Sequence, residues 1–122
     1  MTKILPISNP DNVCGTSFHG DHIYASANEI CNKLGVDVTC YDGDKTHYEF
    51  DLELEDGTPF TIYDWKESDW VTVDTRLYYH IGAKTAADSQ RALKAIEGYG
   101  IKGRDRQTID NDVARLLSLL GR

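Results

Sequence analysis

The sequence predicts one α+β domain over residues 1–122, built as an antiparallel β-sheet with a short N-terminal helix and two C-terminal amphipathic helices. Three observations carry that expectation. Apolar and polar residues alternate with period two over 46–54, two capping boxes open helical stretches, and the final stretch repeats apolar residues at helical spacing. Strands come before helices with no internal repeat or low-complexity linker, which is the order of an α+β domain. An apolar fraction of 40% in 122 residues supplies one modest core.

Ser26-Ala27-Asn28-Glu29 is the first capping box: the hydroxyl caps the opening turn and Glu29 returns the bond. Ile30 and Leu34 then face inward, and Gly35 stops the helix. From Thr46 to Leu54, Tyr48, Phe50, Leu52 and Leu54 alternate with His47, Glu49, Asp51 and Glu53, the pattern of a strand wet on one face. Glu55-Asp56-Gly57-Thr58 makes a turn, and Pro59 to Trp65 returns as the partner strand with Phe60 and Ile62 on the core face. Val71, Val73, Leu77, Tyr79 and Ile81 predict one further strand or a bent pair. Thr85-Ala86-Ala87-Asp88 is the second capping box; Ala92, Leu93 and Ile96 follow as a buried stripe, ended by Gly98 and Gly100. Asp105 or Thr108 caps a third helix, whose Ile109, Val113, Leu116, Leu117 and Leu120 form another stripe. Leu119 adds a leucine beyond a single core-facing stripe, a surplus that predicts a homo-oligomer.

Charge divides the chain. Residues 1–81 hold 5 Lys/Arg against 15 Asp/Glu, net −10, whereas residues 82–122 hold 8 against 5, net +3. This acidic balance excludes nucleic acid polymers, which require a domain-wide basic face, and anionic membrane surfaces. No stretch approaches a membrane span and no signal-peptide pattern opens the chain, so the expected location is the cytoplasm. Cys14, Cys31 and Cys40 are odd in number and form no C-x-x-C pair, as expected of reduced thiols. The positive charge concentrates at Lys102, Arg104 and Arg106, in a Gly-flanked segment from Gly98 to Gln107 between helices. Guanidinium groups and N–H donors could converge there on an anion of one or two phosphates.

Other candidate chemistry is weaker. His19-Gly20-Asp21-His22 lacks helical zinc spacing and a second ligand cluster, and reads as a polar turn; no metal or other cofactor is expected. Asp42-Gly43-Asp44 reads as a turn rather than a calcium loop. Glu49, Asp51 and Glu53 read as a solvated strand edge rather than an acid/base pair, and no phosphate-binding or nucleophile motif occurs, so the chain is not expected to be an enzyme. Trp65 beside Lys66, and Tyr78-Tyr79 before His80, offer flat apolar faces for a base, and Arg104 and Arg106 offer charged donors for phosphates.

The strings Asn12-Val13-Cys14-Gly15-Thr16-Ser17-Phe18-His19-Gly20, Gly57-Thr58-Pro59-Phe60-Thr61-Ile62-Tyr63-Asp64-Trp65-Lys66-Glu67 and His80-Ile81-Gly82-Ala83-Lys84 resemble a family of small bacteriophage proteins. Within that set, a β-rich N-terminal part followed by two helices resembles the phage anti-Thoeris proteins, sponges for cyclic ADP-ribose signals. Ala83 departs from the set, where a second glycine would stand. The resemblance implies a non-catalytic oligomer that holds a cyclic nucleotide between the sheet region of one subunit and the C-terminal helix region of another, removing a host immune messenger.

Chemistry rather than alignment selects the ligand-binding candidates: Arg104 and Arg106 for phosphate, Arg115 and Asn111 on the last helix, Phe18 or Trp65 for base stacking, and Lys84 with Thr85 as a second anion point at a helix N-terminus. Two other function classes remain open. One is an acidic inhibitor that binds a host defence protein directly, and the other is a nucleotide-cleaving enzyme using His19 and His22.

Overall fold

Seven antiparallel strands form one sheet in a computed structural model that describes residues 2–40, 46–65, 71–104 and 106–120, without the side chains of residues 106–112. The strands are β1 (Ile4–Pro6), β2 (Ser17–Ala25), β3 (Thr39–Cys40), β4 (Tyr48–Leu54), β5 (Pro59–Tyr63), β6 (Leu77–Ala83) and β7 (Lys102–Arg104). Their order is β1-β4-β5-β6-β2-β7, with β3 also paired to β4. Three α-helices, α1 (Ala27–Leu34), α2 (Ala86–Gly98) and α3 (Arg106–Leu120), complete the α+β architecture with a short 3-10 helix, Pro10–Val13.

The predicted hairpin is β4–β5, in register Phe50↔Ile62 and Leu52↔Phe60. Phe50, Leu52, Leu54, Phe60 and Ile62 enter one core with Ile23, Tyr79 and Ile81 from the neighbouring strands. α1 and α2 supply the other layer through Ile30, Leu34, Ala92, Leu93 and Ile96. The hydroxyl half of each cap forms as expected, the Ser26 hydroxyl accepting from Glu29 N and the Thr85 hydroxyl from Asp88 N, each at 3.1 Å, but Glu29 does not return the expected bond to Ser26. Gly35, at φ 69°, ends α1 in the left-handed region. Glu29 spends its carboxylate on Lys33 and Arg76.

Several expectations are corrected. The segment Gly98–Gln107 is not an open basic loop, because Lys102–Arg104 is strand β7, paired His22↔Arg104, Ile23↔Gly103 and Tyr24↔Lys102 with β2. Gly103 makes this possible: a Cβ there would run into Leu93 and Glu97 of α2, so only glycine lets the helix lie against this strand. His19–His22 is not a turn but the middle of β2. β4 is an interior strand, and Glu49, Asp51 and Glu53 are half-buried rather than a solvated edge. Val71 and Val73 precede a single strand, β6. α3 begins at Arg106, so Thr108 lies inside the helix rather than capping it; Asp105 lies outside the described residues. On α3, Val113, Leu116, Leu117, Leu119 and Leu120 are all exposed rather than buried as a core-facing stripe, and the side chain of Ile109 lies outside the described residues. Asp42-Gly43-Asp44 and Lys66 lie outside the described residues. Among the described residues no helix is long and apolar enough to cross a membrane.

Candidate functional site

Because strand side chains alternate, the sheet face turned away from α1 and α2 collects a second set of residues from four neighbouring strands. β5 contributes Tyr63, β6 Tyr78 and His80, β2 Phe18, His22 and Tyr24, and β7 Arg104; the register Tyr63↔His80↔His22↔Arg104 sets them in one row across the sheet. Aromatic rings thus accumulate where the hairpin pattern alone requires only polar residues.

The row is tightened by an irregularity in β2. Phe18 pairs with Gly82 and His22 with His80, so three residues of β2 oppose one of β6. Gly20 takes φ 99° inside this bulge, a value side chains strongly disfavour. The bulge leaves Phe18 and His22 outward and close together, ring centroids 4.9 Å apart. It also turns Asp21 inward, where the buried carboxylate accepts from Ser89 Oγ at 2.5 Å and Gln90 Nε2 at 2.9 Å, anchoring the start of α2.

His80 is the centre of the cluster. Phe18 stacks on it at 4.2 Å and 25°, His22 meets it edge-on at 4.8 Å, and Tyr63 packs on it at 5.4 Å. Burial, reinforced by the neighbouring His22, pushes the His80 imidazole down to about 4. Burial and then the Arg104 charge lower His22 as well. At neutral pH the cluster therefore presents uncharged rings, of which Phe18 is 40% exposed and Tyr78 43%.

Charge enters at the rim. Arg104 lies over the Tyr78 ring at 5.4 Å, and Arg76 lies over Tyr24 at 5.0 Å while pairing with Glu29. On the opposite side Trp65, 40% exposed, meets Tyr63 edge-on at 6.3 Å. Asp64 fixes this corner: fully buried, it accepts from the backbone N–H of His47 and Tyr48, each at 2.8 Å, and from His47 Nδ1 at 2.7 Å. Next to it a recess of about 290 Å³ is lined by Val13, Thr16, Thr46, Glu49, Thr61, Tyr63 and Trp65. Burial and the adjoining Asp51 carboxyl raise Glu49 to about 7.

Of the residues selected from sequence, Phe18, Trp65 and Arg104 meet on this face. Lys84 is exposed just past Ala83, which pairs with Ser17, at the end of β6; the hydroxyl of Thr85 is already taken by the α2 cap. Arg115 is exposed on α3, and the side chains of Arg106 and Asn111 lie outside the described residues. The sequence offers Tyr78-Tyr79 before His80 only as flat faces for a base and His22 only beside His19; that these residues and Tyr63 share one face is signalled by their parity with Glu49 and Asp51 along the alternating strands, and Tyr79 lies instead in the core. His19 and His22 do not converge as a metal pair: His19 Nε2 donates to Ala83 O at 2.9 Å while His22 packs among rings. Among the described residues no group of three His, Cys, Asp or Glu is placed to hold a metal.

No protein-family model, curated protein or solved structure matches the chain.

Proposed function

We propose that this protein is a non-catalytic phage anti-defence protein that binds and sequesters a cyclic ADP-ribose-type nucleotide in the host cytoplasm, acting as a homo-oligomer. The observation that carries this reading is the uncharged aromatic face around His80 with the Arg104 guanidinium at its rim. A base is a flat π-system that stacks on such rings, and a phosphate needs a charge-assisted donor beside them. The sequence resemblance supplies the cyclic nucleotide and the sponge role.

The absence of catalysis is argued from His80 and His22. Imidazoles packed ring-on-ring with lowered proton affinity are poor general bases at neutral pH. Oligomerisation is supported by α3, where Val113, Leu116, Leu117, Leu119 and Leu120 are exposed apolar residues that a second copy could cover.

Incubating the protein with a panel of cyclic ADP-ribose isomers and cyclic oligonucleotides, washing, heat-denaturing and chromatographing the released material tests the reading. An intact cyclic ADP-ribose isomer is expected. A cleaved product would instead make the protein an enzyme, and nothing retained would leave direct binding of a host protein as the explanation.

A further inference from the structure

The recess beside Trp65 has a chemistry opposite to that of the Arg104 rim. Tyr63 and Trp65 wall it with aromatic rings, and Glu49 and Thr61 face it from adjacent strands in the register Asp51↔Thr61 and Glu49↔Tyr63. Thr61 is 5% exposed, and among the described residues its hydroxyl has no hydrogen-bond partner. That hydroxyl overhangs Gly82, where an added Cβ would strike it. Asp51, adjoining Glu49 on the same face, helps to raise the Glu49 carboxyl and keeps Oδ1 buried without a partner. Among the described residues no cation pairs with either carboxylate. The recess thus joins ring faces to the Glu49 carboxyl and the Thr61 hydroxyl, with the Asp51 carboxyl behind Glu49, so that ionising Glu49 there costs free energy without a cation.

We propose that this recess binds a planar organic cation of the guanidinium type. A guanidinium carries five N–H donors in a flat fork and no acceptor, so it satisfies Glu49 and Thr61 together while its charge offsets Asp51 and its plane lies against Tyr63 or Trp65. A phosphate would be repelled, and a neutral sugar would leave the carboxylates in conflict. The proposal rests on the Glu49 side of the sheet, whereas the nucleotide reading rests on the aromatic face around His80 and on Arg104.

Cation binding must ionise Glu49, which is held near 7. The titratable groups around it are Asp51 on its own strand, Tyr63 opposite on β5 and His80 beyond the Tyr63 ring; the 3-10 helix that packs on β5 carries Asp11. His80, near 4, and Tyr63, raised above the ordinary phenol value, stay neutral through this range.

Methylguanidinium and its neutral counterpart methylurea, titrated into the full chain and followed by amide shifts of Glu49, Thr61 and Tyr63, test the site. Methylguanidinium is expected to bind, about tenfold more tightly at about pH 8 than at about pH 6, and methylurea to bind far more weakly. Glu49→Gln should abolish cation binding and its pH dependence, Thr61→Val should weaken it with the charge intact, and Arg104→Ala should leave it unchanged. Equal shifts with methylurea, tighter binding at the lower pH, or unchanged binding in a folded Glu49→Gln would each overturn the proposal. Agmatine against an acetylated arginine amide then separates a free guanidine from an arginine side chain as the natural source.

Discussion

Gly82 lies on the outward face of β6 where a methyl group would collide with the Thr61 hydroxyl and press on the Tyr63 ring. Gly82→Ala is therefore expected to destabilise the fold by about 1–3 kcal/mol, the usual cost of overpacking, read as a lower urea midpoint at unchanged m-value. At the same scale, Arg104 should matter for binding. Losing one charge-assisted contact removes about 1.5–3 kcal/mol, so Arg104→Ala should weaken an anionic nucleotide at least about tenfold in calorimetry. Equal affinity would remove the β7 rim from the nucleotide site. Single residues were legible in sequence where their role is local, as for the caps Ser26 and Thr85. They were illegible where the role is a contact between strands. Nothing adjacent to Gly82 or Gly103 in sequence announces Thr61 or Leu93.

Among elements, the β4–β5 hairpin was legible because its two faces differ so sharply in polarity. β2 was not, because the bulge at Gly20 and the inward Asp21 break the alternation at the point where it would have been recognised. β7 was hidden by its brevity and by a central glycine. The outward face shared by β4, β5, β6 and β2 has a titration signature of its own. Glu49 moves from 4.5 up to about 7 on folding, so the folded state holds a proton that the unfolded chain has lost. The stability this brings is complete below 4.5 and is lost as pH rises through about 7. His80 moves from 6.5 down to about 4, so its contribution is present above 6.5 and is lost as pH falls through about 4. Between about pH 4.5 and 6.5 these slopes have opposite signs and offset each other. Each variant should unmask the other group. Relative to the parent chain, the stability of Glu49→Gln should rise with pH across that window by up to about 1.4 kcal/mol per unit, while that of His80→Phe should fall. Chemical denaturation at a series of pH values measures both differences, and parallel curves for all three proteins would refute the assigned environments.

For the whole molecule, the α+β class was legible because composition and element order constrain it. The destination of α3 was not, since a helical stripe says which face is apolar and leaves open what covers it. Val113, Leu116 and Leu120 are 48%, 59% and 80% exposed, with Leu117 at 64% and Leu119 at 59%. Ile109, Val113, Leu116 and Leu120 also follow the four-three-four spacing of a two-helix seam. Each leucine brought from water into such a seam contributes about 1.5–3 kcal/mol, enough for a few of them to offset the cost of association. If α3 makes the subunit contact, the melting temperature should rise with protein concentration, because a partner that binds only the folded chain stabilises it by mass action. Replacing Leu116 and Leu120 with Glu should place two charges in the seam, yield a monomer in sedimentation velocity, and abolish that concentration dependence. Both positions are well exposed, so the far-UV circular dichroism of the sheet should persist. A parent chain that sediments as a monomer at every concentration would assign the leucines of α3 to a different partner and separate nucleotide binding from assembly.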